Sequence, residues 1–282
     1  MLVLPNATGF GIAEGVHIDG MIGYQTVARF LTTIHYAAST LTLAMPANAA
    51  ASVPGAAALD FYFDGTIPRI PVAVDSVATT AEVDTGSRAG LRLSSPFVGD
   101  HPQIAAQAKT ADGVAGFGVG GPSYAKLGRI TSLQIGPYTP AGTVADFTSQ
   151  QKGAFADPFN PANIGGAIWR RFTVTFDYAH QRMLLAKNGE YDAPHAYDRS
   201  GLFLIDNKGA YTVIDARPGT PATDDGLAKG DVILAVEGAP VSSKSLAQLR
   251  TILSGPAGSI VHLHVRNAKG ERDVALTLRD YV

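Results

Sequence analysis

Residues 81–90 read AEVDTGSRAG. A short, strand-like run ends on Asp84, and Thr85, Gly86 and Ser87 follow at once. An acid/base carboxylate has to be held at a fixed angle and yet stay near water. Thr85 and Ser87 carry hydroxyls able to bond the neighbouring backbone or the carboxylate, and Gly86 lets a second backbone or a substrate come close. Asp-Thr-Gly also makes an ordinary turn, so the tripeptide alone leaves two readings open, a catalytic loop and a bland turn.

From Leu59 to Leu185, short alternating apolar runs are separated by Gly and Pro, among them FYFDGTIPRIPVAV, TTAEVDTG, LGRITSLQIG and FTVTFDY. This is all-β patterning. Residues 45–57 are rich in Ala and Pro, carry no charge, and read as a linker. After the polar stretch 188–200 the texture changes to strands plus one helix, SSKSLAQLRTIL. Ser242 or Ser243 is placed to cap that helix, and Leu246, Leu249 and Leu253 share one face.

A repeat organises the first two thirds of the chain. MIGYQTVARFLTTIHYAASTLTLA (21–44) aligns without gaps on NIGGAIWRRFTVTFDYAHQRMLLA (163–186). Ile22/Ile164, Gly23/Gly165, Arg29/Arg171, Phe30/Phe172, Thr33/Thr175, Tyr36/Tyr178 and Leu43/Leu185 are identical pairs. Two copies of one supersecondary unit explain this match. The run after Arg29 imitates a secretory signal, but His35 and several threonines interrupt it, and the repeat accounts for it better.

The bulk numbers bound the function. The chain has 282 residues, enough for one large domain or two ordinary ones. It is 46% hydrophobic with a net charge of -2 and no basic block, which argues against nucleic acid as a main partner. It has no cysteine, so disulfides and thiolate metal sites are excluded. No uninterrupted apolar run reaches membrane-spanning length.

With these residues in place, the chain resembles the aspartic peptidases, both the retroviral type and the two-lobed pepsin-like type. The matching features are Val83-Asp84-Thr85-Gly86-Ser87 after a strand, the glycine-rich hairpin GVAGFGVGGPSYA at the place of the flap, and Ile164-Gly165 ahead of RRFTVTFDYAHQRMLLA. The resemblance covers about residues 58–187 and implies an acid-protease-type β-barrel lobe over 58–190. Residues 1–44 resemble the C-terminal remnant of a first lobe, with Ile22-Gly23 as its glycine element. Asp84 would then be one of two catalytic aspartates, with Thr85 bracing the base of the site, Gly86 letting two loops meet and Ser87 bonding the outer carboxylate oxygen. Gly116, Phe117, Gly118 and Tyr124 would belong to a flap over a peptide or protein substrate, and no cofactor or metal is implied. Two close carboxylates share one proton and activate a water between them, as this family's dyad does.

The pattern breaks at one point. Carried back from Asp84, the repeat offset falls before Met1, and Asp19 lies in the later glycine element. The dyad therefore calls for a second acid from an upstream lobe or another chain, and the sequence reads as N-terminally shortened.

Residues 196–282 resemble a bacterial-type PDZ domain, through Gly201-Leu202-Phe203-Leu204, Gly226-Leu227-x-x-Gly230-Asp231-x-Ile233 and GSIVHLHVRNAKGERDVALTL. The resemblance implies a small α+β fold of about five or six strands in a partly open barrel. It also implies capture of protein C-termini, with the turn at Gly201–Leu204 holding a carboxylate and Leu202, Leu204 and Leu246 lining a groove beside a free strand edge. Such pairings resemble bacterial envelope proteins, which points to a periplasmic or secreted setting. The rival to an endopeptidase is a non-catalytic binding protein that uses the PDZ groove.

Weaker signals stand beside these. Gly116-x-Gly118-x-x-Gly121 fits a dinucleotide fingerprint as a string but lacks a strand-to-helix setting. His262 and His264 alternate along a strand, as a metal pair or as plain surface. Asp177 corresponds to His35 in the other copy, a swap that favours a structural turn contact over shared chemistry.

Overall fold

The computed structural model describes residues 10–118 and 121–282. The chain divides into two compact units. The first is Gly20–Gln107 with Gly128–His195. The second joins the described residues up to Asp19, Ala108–Leu127 and Ala196–Val282.

In chain order the elements begin with α1 (Phe10–Glu14), α2 (Tyr24–Val27), β1 (Leu31–His35), β2 (Thr40–Ala44), β3 (Ala57–Asp60), β4 (Tyr62–Asp64), β5 (Ile67–Val74), β6 (Val77–Val83) and β7 (Leu91–Leu93). There follow α3 (Ser95–Asp100), α4 (Pro102–Ala105), β8 (Gly113–Gly118), β9 (Gly121–Arg129), β10 (Leu133–Ile135), β11 (Val144–Thr148), β12 (Ala162–Ile164), α5 (Gly166–Trp169), β13 (Phe172–Asp177) and β14 (Arg182–Lys187). The C-terminal part holds β15 (Leu202–Asn207), β16 (Ala210–Ala216), α6 (Pro221–Asp224), β17 (Val232–Val236), β18 (Ala239–Pro240), α7 (Leu246–Leu253), β19 (Ile260–Asn267) and β20 (Gly270–Thr277). The protein is mainly β, as its alternating pattern requires.

One sheet of the first unit carries the order β10-β5-β6-β12-β7-β11, with β4 on the far side of β5. Asp75 and Ser76 join β5 to β6 with φ of 48° and 68°, the two-residue turn whose twist suits a hairpin. Asp75 tolerates that backbone because its carboxylate accepts the Ser132 N–H at 2.7 Å. β12 threads between β6 and β7, parallel to the first and antiparallel to the second. Ile70, Ala81, Leu91, Leu93 and Ile164 fill the core there, each 0% exposed. No closed barrel forms among the described residues, and the short strand β10 stands at one end of this sheet.

The second sheet of this unit has the order β2-β1-β13-β14-β3. Thr33 of β1 lies opposite Thr175 of β13, and their hydroxyls meet at 2.9 Å. These are identical residues of the aligned segments, so the two copies pair about this point. The local geometry matches as well. Gly23 and Gly165 open α2 and α5 in extended conformations, and Ser39 and Gln181 close the following turns at φ 52°. His35 accepts the Ala38 N–H where Asp177 accepts the His180 N–H. Burial would raise the Asp177 carboxyl, but bonds from Ala51 and His180 more than offset it and hold it below the ordinary range. The copies differ in cover. Ile164, Met183 and Leu185 are each 0% exposed, whereas their counterparts Ile22, Leu41 and Leu43 are 68%, 50% and 41% exposed.

The second unit is built on the sheet β15-β16-β17-β19-β20, with β18 on β17. Leu246, Leu249 and Leu253 of α7 are fully buried against Val213, Ile233 and Val265. The cap of α7 is Ser245, in a reciprocal box with Gln248, and not Ser242 or Ser243. Val241–Ser243 form a separate short turn that spends those positions. The hairpin β8–β9 is fastened to this unit by Arg217, 4% exposed, which donates to Ala111 O and Ala125 O at 2.7 Å each. Asp215 accepts the Val114 N–H at 2.8 Å, and the Phe117 and Phe203 rings lie 5.9 Å apart.

Arg217→Ala removes a buried donor from several carbonyls at once. We expect it to cost about 2–4 kcal/mol in urea unfolding of this unit. Amide exchange across Gly113–Leu127 should accelerate by a larger factor than exchange in β19 and β20. Equal acceleration everywhere would show that Arg217 does not fasten the hairpin.

Candidate active site

The 84–90 loop is set by the strand that threads behind it. Asp84 N–H donates to Ile164 O at 3.0 Å, Gly165 N–H to Gly90 O at 2.8 Å, and Gly166 N–H to Ser87 O at 2.7 Å. A Cβ at Gly165 would stand 2.4 Å from Ala89 O, so only glycine lets the two chain segments pass. The tight approach expected at Gly86 is thus found at Gly165. A Cβ at Gly86 would meet only Asp84 Oδ1, at 3.4 Å.

Asp84 is half-buried, and each of its carboxylate oxygens accepts one hydrogen bond. Oδ1 accepts the Gly86 N–H at 3.0 Å, and Oδ2 accepts from Asn163 Nδ2 at 3.2 Å. The Ser87 hydroxyl instead accepts the Ala89 N–H at 3.2 Å, and Thr85 is exposed. Asn163 therefore fills the place expected for Ser87. It also reaches Glu82 Oε2 at 3.2 Å, which fixes Asp84 against a second carboxylate two residues earlier on the same strand face. Glu82 is committed elsewhere: Arg69, 3% exposed, reaches its Oε1 at 3.3 Å.

Asp84 and Thr85 open onto a cleft of about 440 Å³. Its walls are Ile22–Tyr24, Ile34 and Leu41 from the first repeat copy, Thr66–Pro68 from the β4–β5 turn, and Phe176 and Tyr178 from the second copy. The structure thus brings Asp84, Thr85, Ile22 and Gly23 to one cavity. Ile164 and Gly165 are buried behind the loop as its support.

Two residues near the loop, Tyr36 and Asn163, were not marked as site residues by the sequence. Tyr36 has a buried hydroxyl with no hydrogen-bond partner among the described residues. Burial and then the Asp84 charge push its phenol up to about 12. Asn163 sits just before the glycine element, and Met21 takes that place in the other copy, so the repeat gave it no signal. A polar residue on a strand pinned between two others was the available clue.

Gly116, Phe117, Gly118 and Tyr124 all lie on the β8–β9 hairpin, within the second unit. The dinucleotide-like glycines fall on those two antiparallel strands, with no helix after them. In the same unit Leu202, Leu204 and Leu246 are buried, and Phe203 is turned toward Phe117. The Ser200 and Gly201 N–H groups are taken by the Asp198 carboxylate at 3.0 and 2.7 Å, and the Leu202 N–H by Ser200 Oγ at 3.1 Å. Burial pushes Asp198 up to about 6 in spite of those bonds. His264 is held by Asp273 at 2.7 Å and Glu271 at 3.2 Å, while His262 is exposed.

His195 packs against Gly90 and accepts the Val144 N–H at 3.3 Å. Burial, with Arg171 and Arg129 nearby, pushes it down to about 4 from 6.5. The unfolded chain then binds a proton between those values that the folded unit refuses. Its stabilising contribution is complete above pH 6.5 and is lost as pH falls toward 4. We expect a slope of about 1.4 kcal/mol per pH unit there, roughly 3 kcal/mol across the window. Urea unfolding of His195→Gln should show a flatter pH profile than the parent. Identical profiles would remove His195 as the cause.

A PDZ-domain family model matches residues 212–267. No curated protein matches the chain. Among solved structures, a photosystem II D1 C-terminal processing protease is 28% identical, with a TM-score of 0.29, over 32% of this chain and 25% of its own. A retropepsin-like aspartic protease from Rickettsia conorii is 15% identical, with a TM-score of 0.33, over 46% of this chain and 89% of its own. The HtrA3 PDZ domain bound to a phage-derived ligand is 21% identical, with a TM-score of 0.22, over 26% of this chain and 65% of its own. The chain thus spans about a quarter of the processing protease and under two thirds of the HtrA3 PDZ chain. No helix among the described residues is long and apolar enough to cross a membrane. Residues 212–267, from β16 to the end of β19, are a PDZ domain.

Proposed function

We propose that this chain supplies one half of the catalytic centre of an aspartic-type endopeptidase and carries a PDZ domain that binds peptide C-termini. The observation that carries the reading is Asp84. Its carboxylate is fixed by Gly86 and Asn163 at the edge of a cleft of about 440 Å³. Peptide hydrolysis needs one carboxylate to take a proton from the attacking water while a neutral acid protonates the carbonyl oxygen. A proton then passes to the amine as the C–N bond breaks. Glu82 is the other acid lining this cavity, but both of its oxygens are already engaged, one by Arg69 and one by Asn163, so it is not placed to act as the second acid.

The second acid on this reading comes from another polypeptide segment, either an upstream lobe or a second copy. The unequal cover of the repeat supports that. β3 pairs with the outer edge of β14, while β2, its counterpart in the first copy, ends the sheet with every residue exposed. A lobe seated on β2, Ile22 and Leu41 would cover them and bring its own loop toward Asp84.

The assay is cleavage of an unfolded protein substrate, run on size-separated fractions of the full chain with and without a lobe added in cis. Fractions in which two lobes are joined should cleave, and Asp84→Asn should lower their rate by at least about 10²-fold. A verified monomer should be silent. Cleavage indifferent to Asp84→Asn sinks the aspartic mechanism, and Asp84-dependent cleavage by the monomer sinks the need for a second lobe. Silence in every fraction, together with peptide binding, would favour the non-catalytic alternative.

A further inference from the structure

The second unit contains a segment that its sequence does not advertise. Phe10–Glu14 form α1, and the chain then reverses at Gly15, φ 70°, where the Gly15 and Val16 N–H groups both donate to Gly11 O at 2.8 and 3.0 Å. Ala13 is 2% exposed. A Cβ at Gly15 would stand 2.5 Å from Leu246 Cβ, so this turn lies on the first turn of α7. Arg250, one helical turn further along α7, donates to Ala13 O, lies 3.6 Å from the Glu14 carboxylate, and donates to Leu204 O of β15 at 3.2 Å. One guanidinium therefore ties α1 to both α7 and β15.

We propose that the surface between β15 and α7 is the seat of the chain's own segment Phe10–Val16, and that a peptide with a free apolar C-terminus competes with that segment for it. The proposal rests on the PDZ domain binding C-termini by strand addition. β15 ends its sheet, so its outer edge is the side at which an extended peptide adds a strand. The Gly15 and Val16 N–H groups are spent within this turn, and the segment adds no strand to the ladder of β15. An incoming strand can extend it, which gives the peptide bonds that α1 lacks. While α1 is seated, the competent fraction of the groove is small and the apparent affinity is reduced by that fraction.

The test uses the full chain and leaves Arg250 and Leu246 intact, because they belong to the groove. Ala13→Asp puts a charge at a buried contact, and Gly15→Val puts a side chain where Leu246 already stands. Hydrogen exchange at the Gly15 and Val16 amides reports whether α1 has left. Fluorescence anisotropy of a labelled decapeptide ending in a free valine carboxylate reports binding. Both variants should bind at least about 5- to 10-fold more tightly than the parent. Saturating peptide should also expose the Gly15 and Val16 amides of the parent. Binding of equal strength in parent and variants, with those amides exchanging freely in the variants, overturns the competition and leaves C-terminus binding standing. Absence of binding in all three proteins, or equal binding of the amidated peptide, overturns C-terminus capture and the competition with it.

Discussion

The first unit depends on three residues placed between two strands. Ala162–Ile164 separate β6 from β7 and pair with both, so the chain joining those strands must arch over the end of β12. That arch is the 84–90 loop. Its shape is not intrinsic to Asp-Thr-Gly, which forms turns of many kinds. It is imposed by the backbone bonds from Asp84 to Ile164 and from Gly165 and Gly166 back to Gly90 and Ser87. The same strand presents Asn163 to the carboxylate at the loop's origin. Because β12 is buried on both edges, its position is over-determined, and so is the direction in which Asp84 points.

The unequal environments of the two repeat copies follow from this arrangement. Ile164 is buried because β6 and β7 flank it, and Ile22 is exposed because no described strand pair flanks it. The hydroxyl contact between Thr33 and Thr175 sits where the copies meet, so the central ladder is satisfied although the outer ones differ. An edge such as β2, with Leu41 and Leu43 exposed, is a surface that folded proteins ordinarily cover. Apolar cover gained there would stabilise the copy in the way that β3 stabilises β14.

Much of this was legible in the sequence, for identifiable reasons. A strand ending in Asp-Thr-Gly-Ser announces a loop, and a gapless alignment of two segments announces a repeated unit, because both signals are local in the chain. Asn163 was not legible, since its role depends on a strand from 79 residues away. The cap of α7 was misplaced by the run of serines ahead of it. Ser245 and Gln248 already had the reciprocal spacing, and the turn at Val241–Ser243 used the earlier candidates. The mainly β character was legible because alternation reveals which face of a strand is buried.

The least legible feature is the make-up of the second unit. Three pieces far apart in sequence, α1, the β8–β9 hairpin and the PDZ domain, share one body. The contacts joining them are mostly side chain to backbone: Arg217 to hairpin carbonyls, Asp215 to an amide, Arg250 to the end of α1. Bonds of that kind leave no periodicity in the hairpin or in α1, because any residue supplies a carbonyl or an amide. They also differ in strength of attachment. The hairpin is gripped by two charged side chains, one of them Arg217 at 4% exposure, whereas α1 is a single short turn resting on Leu246 and reached by one arginine. Helical segments of that length have little stability of their own and persist only through such packing. Of the two added pieces, α1 is therefore the more weakly held.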